Sequence, residues 1–168
     1  ISINLLCELI ARDRVTHYIT KNAAPRNVYK ARLKGGFTLS SIDNLFKNSG
    51  TYYDANENEI DIAIVDEAHR LNEKSGLYGN RGENQIKEII TSSKCSVFFV
   101  DEDQRITASD IGTKEEISQH AKAAGAIILT DSLESQFRCN GSDSFIAWLD
   151  DVLQVRETAN KILDFDYD

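Results

Sequence analysis

Methionine is missing from the 168 residues, proline and tryptophan occur once each, and cysteine only three times. The cysteines, Cys7, Cys95 and Cys139, are odd in number and far apart. No pair has metal-finger spacing, so the expectation is reduced thiols in a cytoplasmic protein. No apolar run approaches the length of a membrane span, and no signal peptide is visible. Internal repeats and low-complexity tracts are lacking too. What is left is a chain of ordinary composition, long enough for one domain with a real core. No N-cap precedes the apolar run that opens at Ile1 (Ile3, Leu5, Leu6, Leu9, Ile10), so a piece of a longer protein is expected.

Acid is missing from one region only. The net charge is −8, which argues against a protein that coats nucleic acid by bulk electrostatics. Yet residues 14–42 contain no Asp or Glu, while Arg14, Lys21, Arg26, Lys30, Arg32 and Lys34 all fall there. Such a strip can touch phosphates or can be a solvated helix face.

The rest is organised around residues 60–71, IDIAIVDEAHRL. An apolar run ends abruptly in Asp66 and Glu67. Continuous apolar residues with polar borders predict a strand buried on both faces, as in a parallel sheet. Ligands of open α/β sheets bind beyond the carboxyl ends of the strands. One acid there can hold Mg²⁺ through water, and the other can take a proton from an attacking water. This is a Walker B arrangement with the lettering DEAH. A strand that merely stops at solvated charges reads the same way.

The pattern predicts alternating elements. A first helix runs to about residue 11, and a strand follows over 15–19. A helix over 26–33 has Pro25 at its first position and a Gly35-Gly36 stop. Ser41 caps a short helix over 42–47. A polar, glycine-bearing loop over 72–82 precedes a helix over 83–90. A second apolar strand over 96–100 again ends in acids, Asp101, Glu102 and Asp103, then Gln104. Thr113 and Glu116 form a capping box for a helix through 124. A strand over 126–129 and an amphipathic helix over 142–153 complete the chain. Strands alternating with helices imply a parallel sheet covered on both faces.

In order, four stretches resemble the motifs of superfamily 1 helicases, P-loop ATPases built on RecA-like domains. The nearest likeness is to a bacterial family of helicase-like ATPases related to the motor domain of Schlafen proteins. The likeness runs from Ile1 to about Thr158, and VDEAHRLNEKSG, FFVDEDQRIT and SQFRCNGSD carry most of it. It implies an α/β, RecA-like P-loop NTPase core lacking its first strand and P-loop. Residues 1–131 would be a truncated first RecA-like domain, and 132–168 the start of a second or a C-terminal extension.

The site residues follow from the same resemblance. Residues 18–32 are similar to motif Ia, where Thr20, Lys21, Asn22 and Arg26 would grip single-stranded nucleic acid. A capped strand–helix turn is the plain alternative. Asp66 would position Mg²⁺ and Glu67 would activate water. His69 and Arg70 would link the nucleotide to the neighbouring domain. Gln104, in a motif III-like stretch where Val100 replaces the usual glycine, would sense the γ-phosphate. Arg138, in a motif IV-like stretch, would act on the γ-phosphate from the second domain. The implied cofactors are ATP and Mg²⁺, and the implied partners are nucleic acid and the rest of the parent chain.

No GxxxxGK[ST] occurs among the nine glycines. In the resembled family that loop stands just before the helix opening at Ile1. The expectation is therefore an ATPase parent whose present portion turns over little nucleotide alone. Two rival readings stay open. Asp66, Glu67, Asp101 and Asp103 could gather two metals, as in a metal-dependent nuclease. Alternatively, the chain could be a non-catalytic interaction module that kept an ATPase fold.

Overall fold

The computed structural model describes residues 1–34, 38–76, 78–105, 107, 109–133 and 152. The chain separates into two compact units, Ile1–Ile128 and Leu129–Asp168. Among the described residues, the first unit is a four-stranded sheet flanked by five α-helices. The strands are β1 (Thr16–Ile19), β2 (Phe46–Lys47), β3 (Ile60–Val65) and β4 (Ser93–Phe98). Their order is β2-β1-β3-β4, and every pairing is parallel. Parallel neighbours need crossovers, and helices supply them: α1 (Ser2–Ala11), α2 (Ala23–Leu33), α3 (Leu39–Leu45), α4 (Gln85–Ser92) and α5 (Lys114–Ala123). The fold is thus α/β with an all-parallel sheet, as the residue pattern predicts, and is consistent with the RecA-like core that the resemblance implies.

Alternation along the strands divides the core. Tyr18 and Ile64 face one side, where Leu6 of α1, Tyr29 of α2, Ile42 of α3 and Phe46 join them. Ile19, Ala63 and Val65 face the other, packed with Ile86 and Ile89 of α4 and Ile117 of α5. β3 is central and its last three residues are fully buried, which explains its unbroken apolar run.

Several predicted boundaries shift. α2 begins at Ala23, so Pro25 is its third residue and not its first. That is tolerated because the first-turn N–H groups have no intrahelical acceptor anyway. α3 is capped by Thr38, whose Oγ1 accepts the Ser41 N–H at 3.2 Å, and Ser41 lies inside the helix. Phe46 and Lys47 leave that helix to pair with β1 in the register Tyr18↔Phe46. Burial of Phe46 against Tyr18 and Tyr29 decides this, a non-local effect that overrides helical continuation. β4 starts three residues earlier than predicted and stops at Phe98, two residues before the predicted end. Only half of the capping box forms: Thr113 Oγ1 accepts the Glu116 N–H at 3.1 Å, while the Glu116 carboxylate pairs with His120.

Residues 126–129 form no strand. Ile127 is 93% exposed, and an apolar run without a neighbouring strand has no ladder to satisfy its backbone. The predicted helix over 142–153 lies outside the described residues, Val152 apart. Among the described residues no helix is long and apolar enough to cross a membrane.

Candidate functional site

Both acid-bearing turns leave the same, carboxyl edge of the sheet. β3 and β4 are parallel and adjacent, with Val65 opposite Phe98. The ladder continues past both strands: Phe99 donates to the Val65 carbonyl at 2.9 Å, and Ala68 to the Phe99 carbonyl at 2.9 Å. Asp66 follows β3 directly, its N–H on the Ile19 carbonyl at 2.8 Å.

Asp66 is held from the side by β1. Tyr18 is registered against Ile64, so its ring lies on the face that Asp66 also takes two residues on. Its hydroxyl donates to Asp66 Oδ2. Burial first, and then that bond to a carboxylate, push the Tyr18 phenol well above its ordinary range. Tyr18 is therefore a fixed donor that leaves one carboxylate oxygen of Asp66 to other partners.

Glu67 has φ 55° and ψ 43°, the left-handed region. A non-glycine residue there costs about 1–2 kcal/mol. The turn folds the chain into a short 3-10 segment, Ala68–Arg70, and brings Glu67 Oε2 to 3.3 Å from His69 Nε2. His69 is 2% exposed. Its Nδ1 accepts the Asp101 N–H at 3.4 Å, which assigns the ring proton to Nε2, facing Glu67. One imidazole thus joins the acid after β3 to the backbone after β4.

Asp101 in turn organises its own loop. Its Oδ1 accepts the Asp103 N–H at 3.2 Å and its Oδ2 the Gln104 Nε2–H at 2.7 Å. Gln104 is exposed but oriented. The structure therefore brings Glu67, His69, Asp101 and Gln104 into one hydrogen-bonded chain. Among the described residues, Asp66, Glu67, Asp101 and Asp103 do not gather with others into a group of three or more metal ligands.

The basic turn after β1 is divided. Thr20 is 1% exposed, and its hydroxyl accepts the Asn22 N–H at 3.3 Å. Lys21 Nζ reaches Asn72 Oδ1 at 2.8 Å and Asp110 Oδ1 at 3.2 Å. Asn22 caps α2 without a side-chain cap bond, and Arg26 Nε donates back to the Asn22 carbonyl at 3.3 Å. At this helix start free of acids Asn22 is exposed and Arg26 half-buried, while Thr20 turns inward and Lys21 engages Asn72 and Asp110. Arg138 lies outside the described residues.

Three positions escape the sequence reading. Tyr18 looks like a core aromatic. Asp110 looks like loop polarity, yet it is 0% exposed. Its Oδ2 accepts the Thr107 N–H at 3.1 Å and lies 3.8 Å from Arg70 Nε. Its carbonyl accepts from the Arg105 guanidinium at 2.6 Å. Gly112 presses on the DEAH turn: a Cβ there would lie 1.8 Å from the Ala68 carbonyl oxygen. The only hint in the sequence is the small, turn-forming character of SDIG.

These observations meet the comparison with known families. The sequence matches the family described as Schlafen group 3, DNA/RNA helicase domain, over residues 1–168. No curated protein and no solved structure matches it. The match covers every element described above, both acid-bearing turns included. The chain belongs to the Schlafen group 3 DNA/RNA helicase domain family, a helicase-related lineage.

Proposed function

We propose that this chain carries the catalytic acids of a nucleic-acid-stimulated ATPase of the superfamily 1 helicase type. One observation supports this above the others: His69 contacts the Glu67 carboxylate with one ring nitrogen and the Asp101 backbone with the other. A general base must be oriented to be useful, and here its orientation depends on the loop that also holds Gln104. A change sensed at Gln104 is therefore a change in the support of Glu67.

The residues fit Mg²⁺ and ATP in kind. Magnesium keeps several waters and takes one or two carboxylates, the rest coming from phosphates. A single half-buried Asp66 with one oxygen occupied by Tyr18 suits that, and no all-protein cage is needed. Bound Mg²⁺ supplies charge neutralisation on the phosphates. Glu67 accepts the proton of the attacking water. Gln104, a donor and an acceptor at once, reads the phosphate side. Asn22 and Arg26, with the α2 N–H groups, contact the backbone of single-stranded nucleic acid. Arg138, in the motif IV-like stretch, acts on the γ-phosphate.

The test is phosphate release by the full-length protein. Glu67→Gln should lower kcat by about a hundredfold or more, the usual weight of a general base, with KM for ATP little changed. A Glu67→Gln protein as fast as the unmodified one would remove the assigned role.

A further inference from the structure

Asp110 is the most deeply buried carboxylate near the two turns, and it lies between them. Lys21 Nζ comes from the basic turn, at 3.2 Å from Oδ1. Arg70 Nε comes from the DEAH turn, at 3.8 Å from Oδ2. The two contacts differ in kind. Lys21 is within hydrogen-bond distance, and its side chain is 31% exposed. The Arg70 side chain is 29% exposed, about as much as that of Lys21, but its Nε atom is beyond hydrogen-bond distance, buried, and has no hydrogen-bond partner. A buried carboxylate is strongly unfavourable without a counter-charge, so loss of one cation raises the demand on the other.

Lys21 is the cation that can leave. It is a compact charge on a flexible stem, and it sits one residue from exposed Asn22. A phosphate bound at the start of α2 competes directly with Asp110 and Asn72 for its ammonium. If Lys21 turns outward, Arg70 is a cation already within 3.8 Å of Asp110 Oδ2. Closing the 3.8 Å gap then satisfies Arg70 Nε and moves the residue next to His69, which contacts Glu67.

We propose that Asp110 is a buried counter-charge that competes with nucleic-acid phosphate for Lys21, and that passes phosphate capture at Lys21 on to Arg70 of the DEAH turn. It is a positioning residue. The proposal rests on the nucleic-acid half of the reading above and adds a route from that turn to the acids. It also reassigns Lys21 from a standing phosphate clamp to a latch that phosphate must open.

The latch has a signature that a merely structural role lacks, because removing a buried acid should tighten binding. The full-length protein is titrated into a labelled single-stranded oligonucleotide at fixed salt. Asp110→Asn should bind about threefold more tightly or better, the scale of a partly exposed ion pair. Lys21→Gln should bind more weakly, and the double variant should match Lys21→Gln because no ammonium is left to compete for. Asn72→Ala loosens the same lysine without touching the buried acid, and it should shift affinity in the same direction as Asp110→Asn.

Asp110→Asn binding no more tightly would overturn the latch. If that variant does not fold, Asn72→Ala binding no more tightly would do the same. An unmodified protein that binds no oligonucleotide would also overturn it. Phosphate release measured in parallel separates the two claims. The expected affinity order without hydrolysis keeps the latch and removes the ATPase reading. Stimulated hydrolysis without that order removes the latch alone.

Discussion

The turn after β3 and the turn after β1 leave adjacent parallel strands, with Ile19 opposite Val65, and they are built in opposite ways. The DEAH turn is closed. Asp66 is bonded by Tyr18, Glu67 is held in the left-handed region, and His69 is buried between two partners. The basic turn is half open, with Asn22 exposed, Arg26 half-buried and bonded to the nearby Asn22 carbonyl, and Lys21 turned to a buried acid. Chemistry needs groups fixed before the reaction, and capture of a flexible strand needs groups that can reach. The lesson is that a count of basic residues overstates the open side. Of the two cations in this turn, Lys21 is already engaged.

The comparison breaks most severely at Gly112. Its backbone touches the Ala68 carbonyl, so Gly112→Ala must push the loop over 109–113 away from the DEAH turn. A loss of about 1–3 kcal/mol is expected, the cost of overpacking a tight contact, read as a lower midpoint in chemical denaturation. A midpoint equal to the unmodified protein's would mean that the turn is not closed.

Tyr18→Phe sharpens the comparison more gently. It keeps the ring in the core with Tyr29 and Phe46 and removes only the hydroxyl on Asp66. The expected loss is about 1 kcal/mol of stability, the net worth of a hydrogen bond whose partner can regain water. Phosphate release should fall more than stability predicts, because Asp66 loses its fixed orientation. Equal phosphate release in the two proteins would show that Asp66 needs no such support.

The open turn should respond in the reverse sense. Arg26→Gln removes a half-buried cation and its bond to the Asn22 carbonyl, so stability should fall by about 1 kcal/mol or less. Oligonucleotide affinity should drop, and its salt dependence should become shallower by about one counterion. Unchanged affinity and slope would move the nucleic-acid contact elsewhere.

How much of this was legible follows from where the information sits. β3 could be read because a strand buried on both faces must be apolar throughout and must stop where charge begins. The acids at its end, and those after β4, were visible for the same reason. β2 could not be read, since two residues, Phe46 and Lys47, become a strand only by pairing with distant β1. The run over 126–129 looked like a strand because local composition records apolarity and says nothing of a missing neighbour. Asp110 and Tyr18 were illegible for a related reason. Their role is a contact with residues at least 40 positions away, and nothing next to them in the chain signals it.

Within the site, Glu67, His69 and Gln104 were each readable, but their connection through Asp101 was not. It depends on β4 ending at Phe98, two residues earlier than its apolar run suggests. The extra length after the strand lets Asp101 cap its own loop and present its N–H to His69.

The central claim is that the open turn controls the closed one. The most direct measurement is steady-state phosphate release by the full-length protein, with ATP and Mg²⁺, as a single-stranded oligonucleotide is added. The rate should rise with oligonucleotide to a plateau, and the rise should disappear in Glu67→Gln. A rate indifferent to oligonucleotide, or a rise that survives Glu67→Gln, would contradict the claim.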